Sequence, residues 1–151
     1  MNLQALLYIH YRDNILLINW KKYGHWCCIG GSVGENGDSL YDVGINAAKN
    51  LCGITPTTLR LRGIFNFNCK ICYNDSSISY VFHAETKNPT ITKCKELNNA
   101  KWVPVNKALN YKLFPNSERY LLNTYLSSNK FFNLSLEYTN EGICKIIRTS
   151  E

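Results

Sequence analysis

Apolar runs broken by short polar clusters organise this chain. Two strand-like runs open it, "LQALLYIHY" and "NILLINW", separated by the turn residues Arg12, Asp13 and Asn14. "GHWCCIGG" reads as a short strand ending in a glycine turn. Residues 39–52 change to helical spacing, with Asp38 or Ser39 placed to cap the start and Gly53 to end it in a left-handed conformation. Pro56 confirms the stop. Residues 57–67 are β-rich and pair plausibly with 77–85 across the loop "NCKICYNDS". "AKWVPV" is a further strand, and "NSERYLLNTYLSS" is a helix capped by Asn116 or Ser117. The tail, 131–149, predicts a hairpin turning at Asn140, Glu141 and Gly142. Strands, helix, strands, helix and hairpin in that order predict an α+β domain.

Composition narrows the class. A length of 151 residues fits a single domain over 1–151, long enough to bury a core. Hydrophobic residues at 45% and charged residues at 19% describe a globular chain. No apolar run approaches the roughly 20 residues of a membrane span. The N-terminus lacks the basic opening and small-residue cleavage site of a signal peptide, so the expected location is cytoplasmic. Seven cysteines, an odd number with Cys27 and Cys28 adjacent, suit reduced thiols rather than a disulfide framework. The pair Cys69 and Cys72 has zinc-knuckle spacing but no second matching pair, and a hairpin loop carrying two cysteines accounts for it. The net charge of +6 favours anionic partners, a nucleotide or nucleic acid, although the lysines are scattered rather than clustered.

Candidate chemistry centres on "GGSVGENGDSLYDVGINAAKNLCGI", residues 30–54. It has a tight glycine pair, an acidic turn and a helix, but not the Gly-Lys-Ser/Thr ending of a P-loop. This segment resembles the signature of the Nudix (MutT-like) family, Gly-x5-Glu-x7-Arg-Glu-aliphatic-x-Glu-Glu-x-Gly-aliphatic. Gly37, Asp38 and Ser39 match the helix start, and Gly53 and Ile54 match the close. "GHWCCIGG" resembles the family's Trp-x-x-Pro-Gly-Gly, with Ile29 in place of proline. "RGIFNF", "YVFHAE" and "ELNNAKWVPVNKAL" resemble its later strands, so the likeness covers residues 3–126. It implies an α/β/α sandwich with a mixed sheet, here with an added C-terminal β-hairpin. It also implies hydrolysis of nucleoside diphosphates linked to another group, with Mg²⁺ or Mn²⁺ held by the helical glutamates.

The departures fall on the chemistry. Asn46 stands at the arginine position, and Ala47, Asn50 and Leu51 stand at the three glutamate positions. Positions i, i+3 and i+4 share one helix face, where carboxylates would hold a hard cation that activates water. An alanine, a carboxamide and a leucine do not. The packing stripe of Leu40, Val43, Gly44 and Ala48 keeps the family's apolar or small character, and Gly44 suggests close approach to a strand. Asp38, Asp42 and Glu96 are the candidates for a displaced metal site, with helix capping and solvation as their plain alternative. Gly30, Gly31, Glu35, Arg60 and Phe82 are the ligand-binding candidates. Trp20, Tyr23, Trp26, Phe65 and Phe82 are able to stack on a base or to fill the core. His10, His25 and His83 read as hydrogen-bonded packing residues.

Three functions remain open from sequence. One is a Nudix-fold protein without the catalytic carboxylates and without a resident cofactor, which binds a nucleotide or other phosphate-containing small molecule. The second is a pyrophosphohydrolase with a displaced Mg²⁺ or Mn²⁺ site. The third is a protein- or RNA-interaction scaffold, for which the aromatic tail also suggests a homodimer.

Overall fold

The structure is a computed structural model that describes residues 2–34, 38–69, 75–113, 116–138 and 144–150. The first two runs form the antiparallel strands β1 (Asn2–Tyr11) and β2 (Asn14–Trp20), which turn at Arg12 with φ of 54°. Next come the short strands β3 (Trp26–Cys27) and β4 (Ile29–Ser32), then helix α1 (Leu40–Cys52). Strands β5 (Thr58–Cys69) and β6 (Asp75–Glu85) pair antiparallel, as their patterns predict. Strand β7 (Leu97–Pro104), a 3-10 helix (Val105–Asn110) and helix α2 (Asn116–Ser127) follow. The antiparallel pair β8 (Phe132–Tyr138) and β9 (Cys144–Ser150) closes the chain.

The described strands make one nine-stranded mixed sheet in the order β3-β2-β1-β6-β5-β8-β9, with β4 on β1 and β7 on β2. The parallel neighbours are β1 with β6 and β5 with β8. The C-terminal hairpin therefore continues the main sheet along β5. Its predicted turn lies outside the described residues.

Each face of the sheet carries its own core, and the two central strands feed both. Ile15 and Leu17 of β2 pack on the α2 side, while Leu16 and Ile18 pack on the α1 side. Tyr8 of β1 belongs to the first core, and Ala5, Leu7 and Ile9 belong to the second. Successive side chains of a strand point to opposite faces, so a run that is apolar at every position is buried on both. The result is the α/β/α sandwich predicted from sequence.

Helix α1 starts where Ser39 adopts extended backbone and its Oγ accepts from the Asp42 N–H at 3.1 Å. It stops at Gly53, at φ of 65°, whose N–H donates to the Lys49 carbonyl while Ile54 N–H reaches Ala48. Its buried stripe is Val43, Gly44, Ala48 and Cys52. At Gly44 an added Cβ would lie 2.6 Å from Leu7 Cδ1, so glycine is what lets the helix sit directly on β1.

Two local readings change. "GHWCCIGG" is two short strands interrupted at Cys28. Ser117 lies inside α2, which starts at Asn116, and is buried rather than serving as the cap. The 3-10 helix escapes prediction because six residues are too few to show a period. Among the described side chains Cys27, Cys28, Cys52 and Cys94 are free thiols, and the side chains of Cys69 and Cys72 lie outside them. No described helix is long and apolar enough to cross a membrane.

Candidate functional site

Helix α1 shows two kinds of surface. Asn46 and Asn50 are exposed, while Ala47 and Leu51 are half-buried and pack against the α1-side core. The segment before β7 holds the end of this helix, with Thr92 N–H bonded to the Cys52 carbonyl at 2.8 Å and Cys94 N–H to Leu51 at 2.9 Å. Strand β4 lies against the same helix. A Cβ built on Gly31 would meet Val43 at 3.2 Å and Ala47 at 3.5 Å.

On the other face of the sheet a cleft of about 840 Å³ opens between the sheet and the N-terminal end of α2. Trp20, Tyr23, Phe65, Phe67 and Tyr138 supply aromatic lining. Ser32, Ser77, Ser79 and Ser117 add hydroxyls, and Ser79 donates to Gln4 Oε1 at 3.2 Å. Gly30 and Gly31 of β4 contribute to the wall. Among the described lining residues the charged side chains are Lys22 and Glu118.

Glu118 is the unusual one. It sits in the first turn of α2 and is 7% exposed. Its Oε1 accepts from the Tyr8 hydroxyl at 3.0 Å and from the Cys28 N–H at 3.2 Å. Burial pushes its carboxyl up to about 7, against the pull of the Tyr8 and Cys28 hydrogen bonds. Near neutral pH it therefore exchanges between a donor and an acceptor. Burial also raises the Tyr8 hydroxyl and the Cys28 thiol, with Glu118 adding to both, so these neighbours stay protonated.

The sequence candidates distribute unevenly over this geometry. Gly30 and Gly31 line the cleft, as do Trp20, Tyr23 and Phe65 from the aromatic set. Phe82 is 2% exposed inside the α1-side core, where its ring lies 5.2 Å from that of Tyr41. Arg60 is exposed on β5 opposite His83, and it does not line the cleft. Glu35 lies outside the described residues. Asp42 accepts from the Ser39 hydroxyl at 3.0 Å, which ties it to the helix cap. Asp38 precedes the cap, so it does not share a helical face with Asp42. Glu96 is held below the usual carboxylate range by hydrogen bonds from Cys94 and its own backbone, with Lys95 and Lys21 nearby. Among the described residues no three His, Cys, Asp or Glu side chains are grouped so as to hold a metal ion.

Sequence reasoning missed Glu118. An acidic residue in the first turn of a helix is ordinary dipole chemistry. Its burial depends on Tyr8, 110 positions away in the chain, and no local pattern carries that pairing.

No protein-family model matches the chain, and no curated protein matches it. Solved structures do. The MutT protein of Bacillus halodurans superposes with a TM-score of 0.81 at 17% identity, covering 99% of this chain and 97% of that one. The Nudix domain of Shewanella oneidensis NrtR, complexed with ADP ribose, gives 0.66 at 18% identity over 82% of this chain and 84% of that one. The Escherichia coli dihydroneopterin triphosphate pyrophosphohydrolase gives 0.68 at 16% identity over 82% and 94%. The first of these likenesses runs through the C-terminal hairpin. The chain has the fold of the Nudix hydrolases.

Proposed function

We propose that this chain binds a nucleotide or related phosphate compound in the α2-side cleft and does not hydrolyse it through helix α1. One observation carries the second half: Ala47 and Leu51, at the family's glutamate positions, are packed against apolar core. The set of donors does not fit a divalent cation. Asn46 and Asn50 offer neutral amide oxygens from an exposed face, and the other two positions offer no oxygen ligand. Asp42, the nearest carboxylate on the helix, is engaged by Ser39.

The cleft supports the binding half. Its volume suits a small-molecule ligand. Aromatic walls favour a flat ring, and the Glu118 carboxyl provides a hydrogen-bond partner from the floor. Lys22 provides the cation for an anionic group. One structure with this fold is complexed with ADP ribose, which supports a phosphate-bearing ligand.

The test pairs turnover with binding. Nucleoside di- and triphosphates and ADP-ribose are incubated with the protein and Mg²⁺ or Mn²⁺, and the same compounds are titrated calorimetrically. The expected result is binding that weakens about tenfold in Glu118→Ala, roughly 1.4 kcal/mol, with no hydrolysis at ordinary rates of about 1–10³ s⁻¹. Turnover at such rates overturns the proposal. Turnover that disappears in Asp42→Ala assigns the chemistry to a displaced metal site instead.

A further inference from the structure

The far end of the α2 face holds a polar cluster outside the cleft. His10 of β1 and His83 of β6 stack with ring centroids 4.4 Å apart. Both turn a nitrogen to one hydroxyl, that of Tyr125 on α2, from His10 Nε2 at 2.7 Å and from His83 Nδ1 at 2.8 Å. His83 Nε2 faces Glu85 Oε1 at 3.2 Å. Arg62 of β5, 3% exposed, places its guanidinium 4.7 Å from the centre of the Tyr125 ring. It donates to the carbonyls of Tyr125, Ser128 and Lys130 at the end of α2.

Proton counting fixes the direction of every bond. A neutral imidazole carries one N–H. On His83 that hydrogen belongs on Nε2, toward the Glu85 carboxylate, which leaves Nδ1 to accept. The Tyr125 hydroxyl therefore donates to His83, and its oxygen accepts from His10 Nε2–H. The chain runs His10 to Tyr125 to His83 to Glu85, and each hydrogen is used once.

One added proton fits. With His83 charged, both of its nitrogens donate, one to Glu85 and one to Tyr125. The hydroxyl then turns to His10, which moves its hydrogen from Nε2 to Nδ1. A second proton does not fit. It leaves the Tyr125 hydrogen with no acceptor on either ring and sets two cations face to face, with Arg62 beside them.

We propose that His10, Tyr125 and His83 form a one-proton latch that pins the C-terminal half of α2 to the sheet and releases it when both rings are charged. The surroundings agree. His10 is lowered to about 4, first by burial, then by His83 and Arg62, against an opposing pull from Glu85. The other groups around the hydroxyl are Arg60 on β5 and Cys28 on the β3–β4 segment. A histidine depressed in this way favours the folded state above its ordinary value of 6.5, and that stability drains as pH falls toward 4.

Long-range ¹H–¹⁵N correlation spectra of the uniformly ¹⁵N-labelled full chain, titrated from pH 8 to pH 4, test this directly. The expected start is Nε2–H on both rings. A single proton on the pair is expected to leave α2 native, with His10 in the Nδ1–H tautomer whenever His83 carries it, and charging of both rings is expected to coincide with loss of native α2 resonances. Tyr125→Phe keeps the ring on Tyr8, whose centroid lies 4.4 Å away, and removes the hydroxyl. In that variant His10 is expected to lose its single tautomer. Both rings charging while α2 stays native, Nδ1–H on His83 at pH 8, or unchanged tautomers in Tyr125→Phe would each overturn the latch.

Discussion

The two faces of the sheet are covered by helices of similar length that differ in the polar groups they bury. Under α1 the strands offer Ala5, Leu7, Ile9, Leu16 and Ile18, and the helix answers with Val43, Gly44, Ala48 and Cys52. Contact there is a matter of shape, and Gly44 sets the distance. Under α2 there is an apolar core as well, with Ile15, Leu17 and Val81 against Leu121 and Leu122. To it β1 and β6 add Tyr8, His10 and His83, which hydrogen-bond to Glu118 and Tyr125 of the helix, and groups removed from water in this way are held by such bonds. Helix α1, the segment that resembles the Nudix signature, rests on the first kind of contact. The buried Glu118 carboxyl and the stacked histidines lie beneath α2.

The largest effect expected from this contrast belongs to Glu118→Gln. The carboxyl is raised from 4.5 to about 7, so its contribution to stability is fully present below pH 4.5 and is lost as pH rises through 7. At pH 8 the native protein bears the cost of a buried charge that glutamine does not have, roughly 3 kcal/mol at 1.36 kcal/mol per unit. Urea unfolding of both proteins at pH 5 and pH 8 is expected to show the variant gaining at pH 8 and little at pH 5. The His10 contribution, which runs the other way below 6.5, is common to both and cancels in the difference. Equal stabilities at pH 8 would show that α2 holds no buried carboxyl and would erase the contrast between the faces.

Restoring two of the three signature glutamates is the second test. Ala47→Glu with Leu51→Glu places two carboxylates at half-buried positions on the α1 face. Without a cation the expected loss is about 2 kcal/mol, from burying charge and displacing a packed leucine. Thermal unfolding with and without Mg²⁺ reads the outcome. No recovery with Mg²⁺ is expected, because Asn46 and Asn50 lie on the exposed side and Glu118 lies across the sheet. Recovery with Mg²⁺ would mean that the metal geometry survives in the scaffold and only its ligands have gone.

The α1 face was legible in the sequence and the polar groups under α2 were nearly silent, for physical reasons. Ser39, Gly53 and the spacing of Val43, Gly44 and Ala48 act within a few residues of one another, so α1 and its caps appear in any window that spans them. The strand pairing of β5 with β6 likewise crosses one short loop. The latch is assembled from β1, β6 and α2, and the cleft draws also on β2, β4, β5 and β8, with partners separated by 110 positions for Tyr8 and Glu118 and 115 for His10 and Tyr125. Single histidines and a helix-start glutamate look ordinary until the sheet brings them together. Phe82 shows how register decides between the two roles open to an aromatic. An aromatic on a strand is equally able to face either side, and the register that pairs it with Leu7 sends it to the α1 core. Trp20 and Phe65, indistinguishable from it in sequence, point into the cleft.

The smallest effect sharpens the contrast from the α1 side. Ser39 accepts from the Asp42 N–H and donates to the Asp42 carboxylate, and it touches nothing in the cleft. Ser39→Ala removes a side-chain cap worth about 1 kcal/mol, which lowers Tm by about 3 °C in a domain of this size. If α1 is a strut, the variant melts earlier and binds its nucleotide ligand with unchanged affinity, measured by calorimetry well below both melting temperatures. A tenfold loss of affinity would make the N-terminus of α1 part of the binding surface, and the division of labour between the two helices would then be wrong.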